Sequence, residues 1–117
     1  MAVENGGAPL DEADAVLVDP VLAGAVEAFL ESRRKLLDEM DQALAAGDRP
    51  GLKRIAHKAA GGFAMYGFAW AATHCRAMER DALPGDAADL GRRVAAVRRH
   101  LGGVQIRYGN AGNVEGK

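Results

Sequence analysis

Apolar residues recur along this chain at steps of three and four, a spacing that places them on one face of an α-helix. The first such stretch begins at Asp19-Pro20, where an N-cap residue precedes a proline suited to the first helical turn. It ends at Gly47, because glycine readily takes the positive φ of a helix terminus. The apolar positions between them include Val21, Leu22, Val26, Phe29, Leu30, Leu36, Leu37, Met40 and Leu44.

Three more stretches with the same period follow. Asp48-Arg49-Pro50 opens a second helix over residues 50–66, and a third helix runs from about residue 68 until Leu83-Pro84-Gly85 stops it. Asp86 caps the fourth helix, which continues to about Val104. Because short loops make consecutive helices antiparallel, the pattern predicts an all-α fold, an up-and-down antiparallel four-helix bundle.

The chain ends fall outside this pattern. Residues 1–17 mix glycine, proline and acidic residues, and we predict a flexible arm there, with a short helical turn at 11–16 as an N-terminal extension of the bundle. The bundle then occupies residues 18–108, and residues 109–117 form a flexible tail. A length of 117 residues fits one such domain.

Composition narrows the classes of partner. Fifteen basic and sixteen acidic residues give a net charge of −1, so we expect neither nucleic acid nor membrane as partner. No apolar run approaches the ~20 residues of a membrane-spanning helix. The single cysteine, Cys75, and the absence of a leader-like N-terminus predict a cytoplasmic protein. A bundle that closes its own core predicts a monomer.

His57 is the candidate for chemistry. At about 100° per residue, it projects roughly 160° away from the apolar stripe of the second helix, which predicts an exposed side chain. Lys53 and Arg54 lie one turn before it and Gly61 one turn after it, on the same face. A neutral imidazole is a nitrogen nucleophile, and neighbouring cations stabilise arriving phosphoryl oxygens.

Plainer interpretations stand beside this one. An exposed histidine usually has no chemical role, and the pair Gly61-Gly62 can simply end the helix rather than open an approach to His57. His74, His100 and Cys75 lack the spacing of a metal site, so we predict no metal. Ser32 has no Gly-x-Ser-x-Gly surroundings that would indicate a hydrolase.

The run from Ala56 to Gly67, which reads AHKAAGGFAMYG, together with Cys75 and Met78-Glu79, resembles the signature of histidine phosphotransfer (HPt) domains. The resemblance extends from about Val18 to Leu101, and the family's fold is the bundle predicted above. It implies that His57 accepts a phosphoryl group, that Gly61 is the small residue beside it, and that Gly67 ends the active-site helix.

The resemblance also implies a bacterial two-component phosphorelay, in which the protein is a stoichiometric phosphocarrier and not an enzyme. Its partners would be receiver domains of response regulators and of a hybrid histidine kinase. No cofactor of its own is expected, because the partner receiver supplies the Mg²⁺. A docking surface is expected around the histidine, at Ala60, Gly61, Ala64 and Met65.

The chain departs from the family at one position. Where lysine usually stands three residues after the histidine, this sequence has Ala60. We therefore assign the phosphate-stabilising charge to Lys53 and Arg54, with Lys58 as a third cation whose side chain points about 100° away from His57. The alternative is an HPt-like docking or adaptor module that cannot be phosphorylated.

Overall fold

The computed structural model describes residues 15–109. In this part of the chain each helix packs against the next, and the fourth returns to pack against the first. This arrangement confirms the predicted all-α fold and its four-helix bundle. The helices are α1 (Val26–Ala46), α2 (Arg49–Met65), α3 (Ala69–Asp81) and α4 (Ala87–Gly103).

The helix ends follow the capping residues in the sequence. The Asp48 and Asp86 carboxylates accept hydrogen bonds from backbone N–H groups in the first turns of α2 and α4. Gly47 ends α1 at a φ of 74°. The start of the first helix differs from the prediction, because residues Pro20–Ala25 form a 3₁₀ helix before α1. None of its side chains is fully buried, and only Leu22 packs partly against the core, so little packing holds this segment in α-helical geometry.

Two short strands were not predicted. Strand β1 (Ala15–Val18) pairs in parallel with β2 (Gln105–Tyr108), with Ala15 opposite Gln105 and Val18 opposite Tyr108. The predicted boundaries between the domain and its flexible arm and tail are therefore corrected at both ends of the domain. Residues 15–17 belong to a strand rather than to a flexible arm or helical turn, because Val16 and Val18 are buried against the bundle.

The predicted flexible tail is corrected at its first residue. The Gly109 N–H donates to the Val18 carbonyl at 3.1 Å, so this residue is joined to β1. The rest of the predicted arm and tail lies outside the described residues. Gly67 connects this sheet to the bundle. Its φ is 86°, and a Cβ there would approach the Leu17 carbonyl oxygen to 2.6 Å, so only glycine fits between β1 and the end of α2.

Aromatic rings fill the core at the end of the bundle next to the sheet. Phe29 lies edge-on to Phe63 at 5.8 Å between ring centroids and stacks on Tyr66 at 3.9 Å. Phe68 completes the group. Within residues 15–109, no helix combines the length and the hydropathy needed to cross a bilayer.

Candidate functional site

The fold of α2 turns His57 towards solvent. Leu52, Ala56 and Phe63 are completely buried, which assigns one face of α2 to the core. His57 lies on the opposite face, and 76% of its side chain is exposed. The outward orientation predicted from the helical period is therefore found in the structure.

A carboxylate from another helix holds the imidazole. His57 Nδ1 lies 2.9 Å from Glu79 Oε2 on α3, where the glutamate side chain is only 28% exposed. A carboxylate only accepts hydrogen bonds, so Nδ1 carries the proton and donates a hydrogen bond to Glu79. In the neutral ring this leaves the lone pair on Nε2. The contact thus selects the nitrogen that can act as a nucleophile.

His57 lies at the side of an open groove of about 610 Å³ between α2 and the end of α3. Lys53 and Arg54, both predicted to stabilise phosphate, line this groove beside the histidine. Lys58 is exposed but is not among the lining residues. The complete lining consists of Pro50, Lys53, Arg54, His57, Glu79 and Leu83.

The adjacent glycines of α2 have different surroundings. A Cβ on Gly61 would meet nothing within 4 Å, so the surface one turn after His57 is open. A Cβ on Gly62 would collide with the guanidinium of Arg33, which crosses from α1 and donates to the Ala59 carbonyl at 3.4 Å. Because α2 continues to Met65, the interpretation that this pair ends the helix is wrong.

The predicted docking residues do not all reach the surface. Ala60 is 3% exposed, because it lies on the side of α2 that packs within the bundle, and its assignment to a docking surface is corrected. Gly61 and Ala64 are exposed, as is Met65 at 72%. The burial of Ala60 also shows that the position usually occupied by lysine belongs to the packed part of this helix.

Sequence reasoning missed three residues of the groove. Glu79 formed part of the resembling signature, but nothing in the helical period of α3 showed that it meets His57. Its position directly after buried Met78 was a usable signal, since it places Glu79 at the border of the packed face. Pro50 and Leu83 were interpreted only as start and stop signals for helices.

The remaining histidines and the cysteine lie away from the groove. His100 is buried beside the rings of Phe68 and Trp70, and His74 contacts Trp70 and Arg93. Within residues 15–109, no three side chains of His, Cys, Asp or Glu are grouped so that they could hold a metal ion. Burial raises the pKa of the Cys75 thiol to about 12, which leaves it protonated at neutral pH.

Comparison with known proteins identifies a family for the chain. The sequence profile of the Hpt domain matches residues 24–105, a range that contains all four helices and the whole groove around His57. Searches of curated proteins and of solved structures gave no match. Since the profile covers well over half of the chain, this protein belongs to the Hpt domain family.

Proposed function

We propose that His57 accepts a phosphoryl group from the phosphoaspartate of one receiver domain and passes it to the aspartate of another. Hpt domains are phosphocarrier modules of two-component signalling, which gives the protein its general role. The observation that supports the specific assignment is the exposed imidazole of His57, whose Nδ1 is held by Glu79 at 2.9 Å.

In the proposed step, the Nε2 lone pair of His57 attacks phosphorus in line with the aspartyl oxygen. The new N–P bond forms while the P–O bond to the aspartate breaks, and its electron pair leaves with the carboxylate. The imidazole ring gains positive charge during the attack, and the Glu79 carboxylate beside Nδ1 stabilises that charge. The receiver's Mg²⁺ supplies charge neutralisation for the phosphoryl oxygens.

Onward transfer reverses these bond changes on a second receiver. The protein is therefore a stoichiometric carrier: each phosphoryl group that it releases must first have been received. It needs no nucleotide site for this role, because the phosphoaspartate itself is the donor. The direction of net flow is set by the partners' equilibria.

Lys53 and Arg54 supply positive charge in place of the lysine that Ala60 replaces. Exposed charges contribute up to about 1 kcal/mol each, so we expect the variant Lys53→Ala/Arg54→Ala to transfer phosphate about tenfold more slowly. Rates measured by quenched-flow gel assay check this. The matched control is Lys35→Ala/Arg99→Ala, which removes two exposed cations outside the groove. Equal rates in the two double variants would contradict the assignment.

The deciding experiment is labelling by a ³²P-phosphorylated receiver domain. We expect acid-labile, base-stable label on the wild type, as is characteristic of phosphohistidine, and none on His57→Gln. Label retained by His57→Gln would place the acceptor elsewhere.

Ala60 favours the second candidate function, a docking or adaptor module that binds receivers without being phosphorylated. Wild-type protein that binds receivers in a pull-down but remains unlabelled by all of them would support that candidate instead. The same labelling experiment therefore separates the two functions.

A further inference from the structure

The two-stranded sheet lies at the border of the family's domain and has an open edge. The Hpt profile matches residues 24–105, so β1 lies before the match and β2 beyond Gln105 lies after it. On the outer side of β1, Gly67 lies against the Leu17 carbonyl. Within residues 15–109, no third strand pairs with the other side of β2. An unpaired strand edge is a template for pairing with another strand.

The pairing of β1 with β2 fixes which backbone groups face this edge. The Gly109 N–H donates to the Val18 carbonyl, and Val18 lies opposite Tyr108. The N–H and C=O groups of a strand point to alternate sides from one residue to the next, so those of Arg107 also face β1. Those of Ile106 and Tyr108 therefore face the open edge, where each residue offers a donor and an acceptor to a partner strand.

Burial decreases across the sheet from β1 to β2. Val18 is completely buried against the bundle, whereas Tyr108, which lies opposite it, is 47% exposed. Ile106 packs against the core but is only half-buried. The bundle therefore covers β1 more fully than β2, and the open edge of β2 stays accessible to a second strand.

The sequence of β2 is complementary to itself when two copies run antiparallel. If Ile106 lies opposite Ile106 of the second copy, Val104 lies opposite Tyr108 and extends the strand, since its φ of −75° and ψ of 142° are already extended. Gln105 then lies opposite Arg107, and within one chain these two side chains already share a hydrogen bond of 3.2 Å. Apolar pairs fall on the bundle side and polar pairs on the outer side, and matched cross-strand pairs stabilise a sheet.

We propose that two copies of this chain pair through β2, antiparallel and centred on Ile106, so that their two-stranded sheets join into one sheet of four strands. Ile106 of each copy donates to the Ile106 carbonyl of the other, and Tyr108 donates to the Val104 carbonyl of the other. The contact is isologous, as a two-fold axis requires. A register centred on Arg107 is disfavoured, because it would place two arginines directly opposite each other.

This dimer replaces the monomer that the bundle alone predicted, because the unpaired strand was not part of that prediction. The contact is small, since it involves one short strand from each copy, and we expect weak association. None of the residues that line the groove around His57 belongs to the sheet, so the inference does not depend on the proposed function.

Gln105→Arg tests the register by sedimentation equilibrium of the full chain over a series of concentrations. The substitution is at an exposed position and brings two arginines opposite each other in both symmetric pairs, so we expect the Kd of the dimer to rise about tenfold. Gln105→Arg/Arg107→Glu should restore dimerisation, since each arginine then lies opposite a glutamate. Gln42→Arg is the control, because it adds the same charge at an exposed position of α1.

Amide exchange locates the contact. We expect protection of the Ile106 and Tyr108 amides to rise with protein concentration, and that of the Arg107 amide, which already faces β1, to change less. A wild type that stays monomeric up to about 1 mM would overturn the proposal, as would a dimer that Gln105→Arg leaves intact or the double variant fails to restore. Concentration-independent protection of Ile106 and Tyr108 would show that a single chain covers this edge, and would overturn it too.

Discussion

At the scale of single residues, the structure adds Glu79 to the chemistry expected of His57. An exposed imidazole without a partner exchanges its proton between both nitrogens, so either nitrogen can be the nucleophile. The hydrogen bond from Nδ1 to Glu79 removes this ambiguity and orients the ring. It also places the Glu79 carboxylate beside the ring nitrogen that would gain positive character in the proposed phosphoryl transfer.

Replacing Glu79 tests this role. A hydrogen bond to a charged group is worth about 1.5 kcal/mol, so we expect Glu79→Ala to lower kcat for phosphotransfer by about tenfold while the KM for the receiver stays close to wild type. Glu79→Gln keeps an acceptor oxygen within reach of Nδ1 and should recover part of the rate. An unchanged kcat in Glu79→Ala would show that the contact has no part in the transfer.

Gly61 allows a second test, because stability and transfer should change in opposite directions. A methyl group there meets open space, and alanine is favoured over glycine inside a helix by about 0.5–1 kcal/mol. We therefore expect Gly61→Ala to raise the free energy of unfolding by that amount and to slow transfer, since its methyl group narrows the approach to His57. Urea unfolding and the labelling assay measure the two effects. A stabilised variant with wild-type transfer would remove Gly61 from the site.

At the scale of elements, the site depends on how α2 and α3 meet. α2 contributes His57, the proposed nucleophile, and the two cations, whereas α3 contributes Glu79 and ends just before the loop that carries Leu83. Arg49 joins the two helices by donating to carbonyls beyond the end of α3. Carbonyls in a loop are not paired by a helix, and a side-chain donor can satisfy them. The first turn of α2 thereby holds the loop at the far side of the groove.

Arg49→Ala tests this connection. Loss of two partly buried hydrogen bonds from a charged donor is expected to lower the free energy of unfolding by about 1.5–3 kcal/mol, measured by urea denaturation. Amide exchange should quicken around residues 82–85 more than elsewhere. Arg99→Ala, which removes an exposed arginine from α4, is the control and should change stability little. Uniform loss of protection across the bundle would contradict a local role for Arg49.

At the scale of the whole molecule, one packed core supports the groove and contains a buried thiol. Cys75 is completely inaccessible, and desolvation raises its pKa from an ordinary 9.0 to about 12, although the charges of Arg33 and Arg76 oppose the shift. The folded protein therefore keeps this proton in a range of pH where the unfolded chain loses it. The contribution of the protonated Cys75 thiol to the free energy of unfolding is therefore fully present below about pH 9. It is lost as the pH rises towards 12.

The pH dependence of unfolding checks this difference. Between about pH 9 and pH 11, the thiol should lower the free energy of unfolding of the wild type by up to about 1.4 kcal/mol per pH unit. Cys75→Ala lacks this contribution, so its stability should fall less steeply even though the substitution lowers stability at neutral pH. Parallel curves for the two proteins would show that the thiol titrates alike in both states.

Most of the fold was predictable because its determinants are local. The period of the apolar residues marks each helix, and Asp48, Asp86 and Gly47 place helix ends through contacts within a few residues. The parallel pairing of β1 with β2 was not predictable in this way. Its strands have four residues each, and their pairing depends on the bundle bringing the two ends of the domain together.

The same division holds for the site. The sequence by itself determined that His57 faces outward with Lys53 and Arg54 beside it, because residues on one helix have a geometry set by the helical repeat. Only the tertiary structure decided which partner His57 meets and which neighbours are exposed. Glu79 and Leu83 reach the groove through the packing of α3 against α2, and the packing of α2 within the bundle buries Ala60. Contacts between helices depend on how whole faces fit together, and no local spacing encodes them.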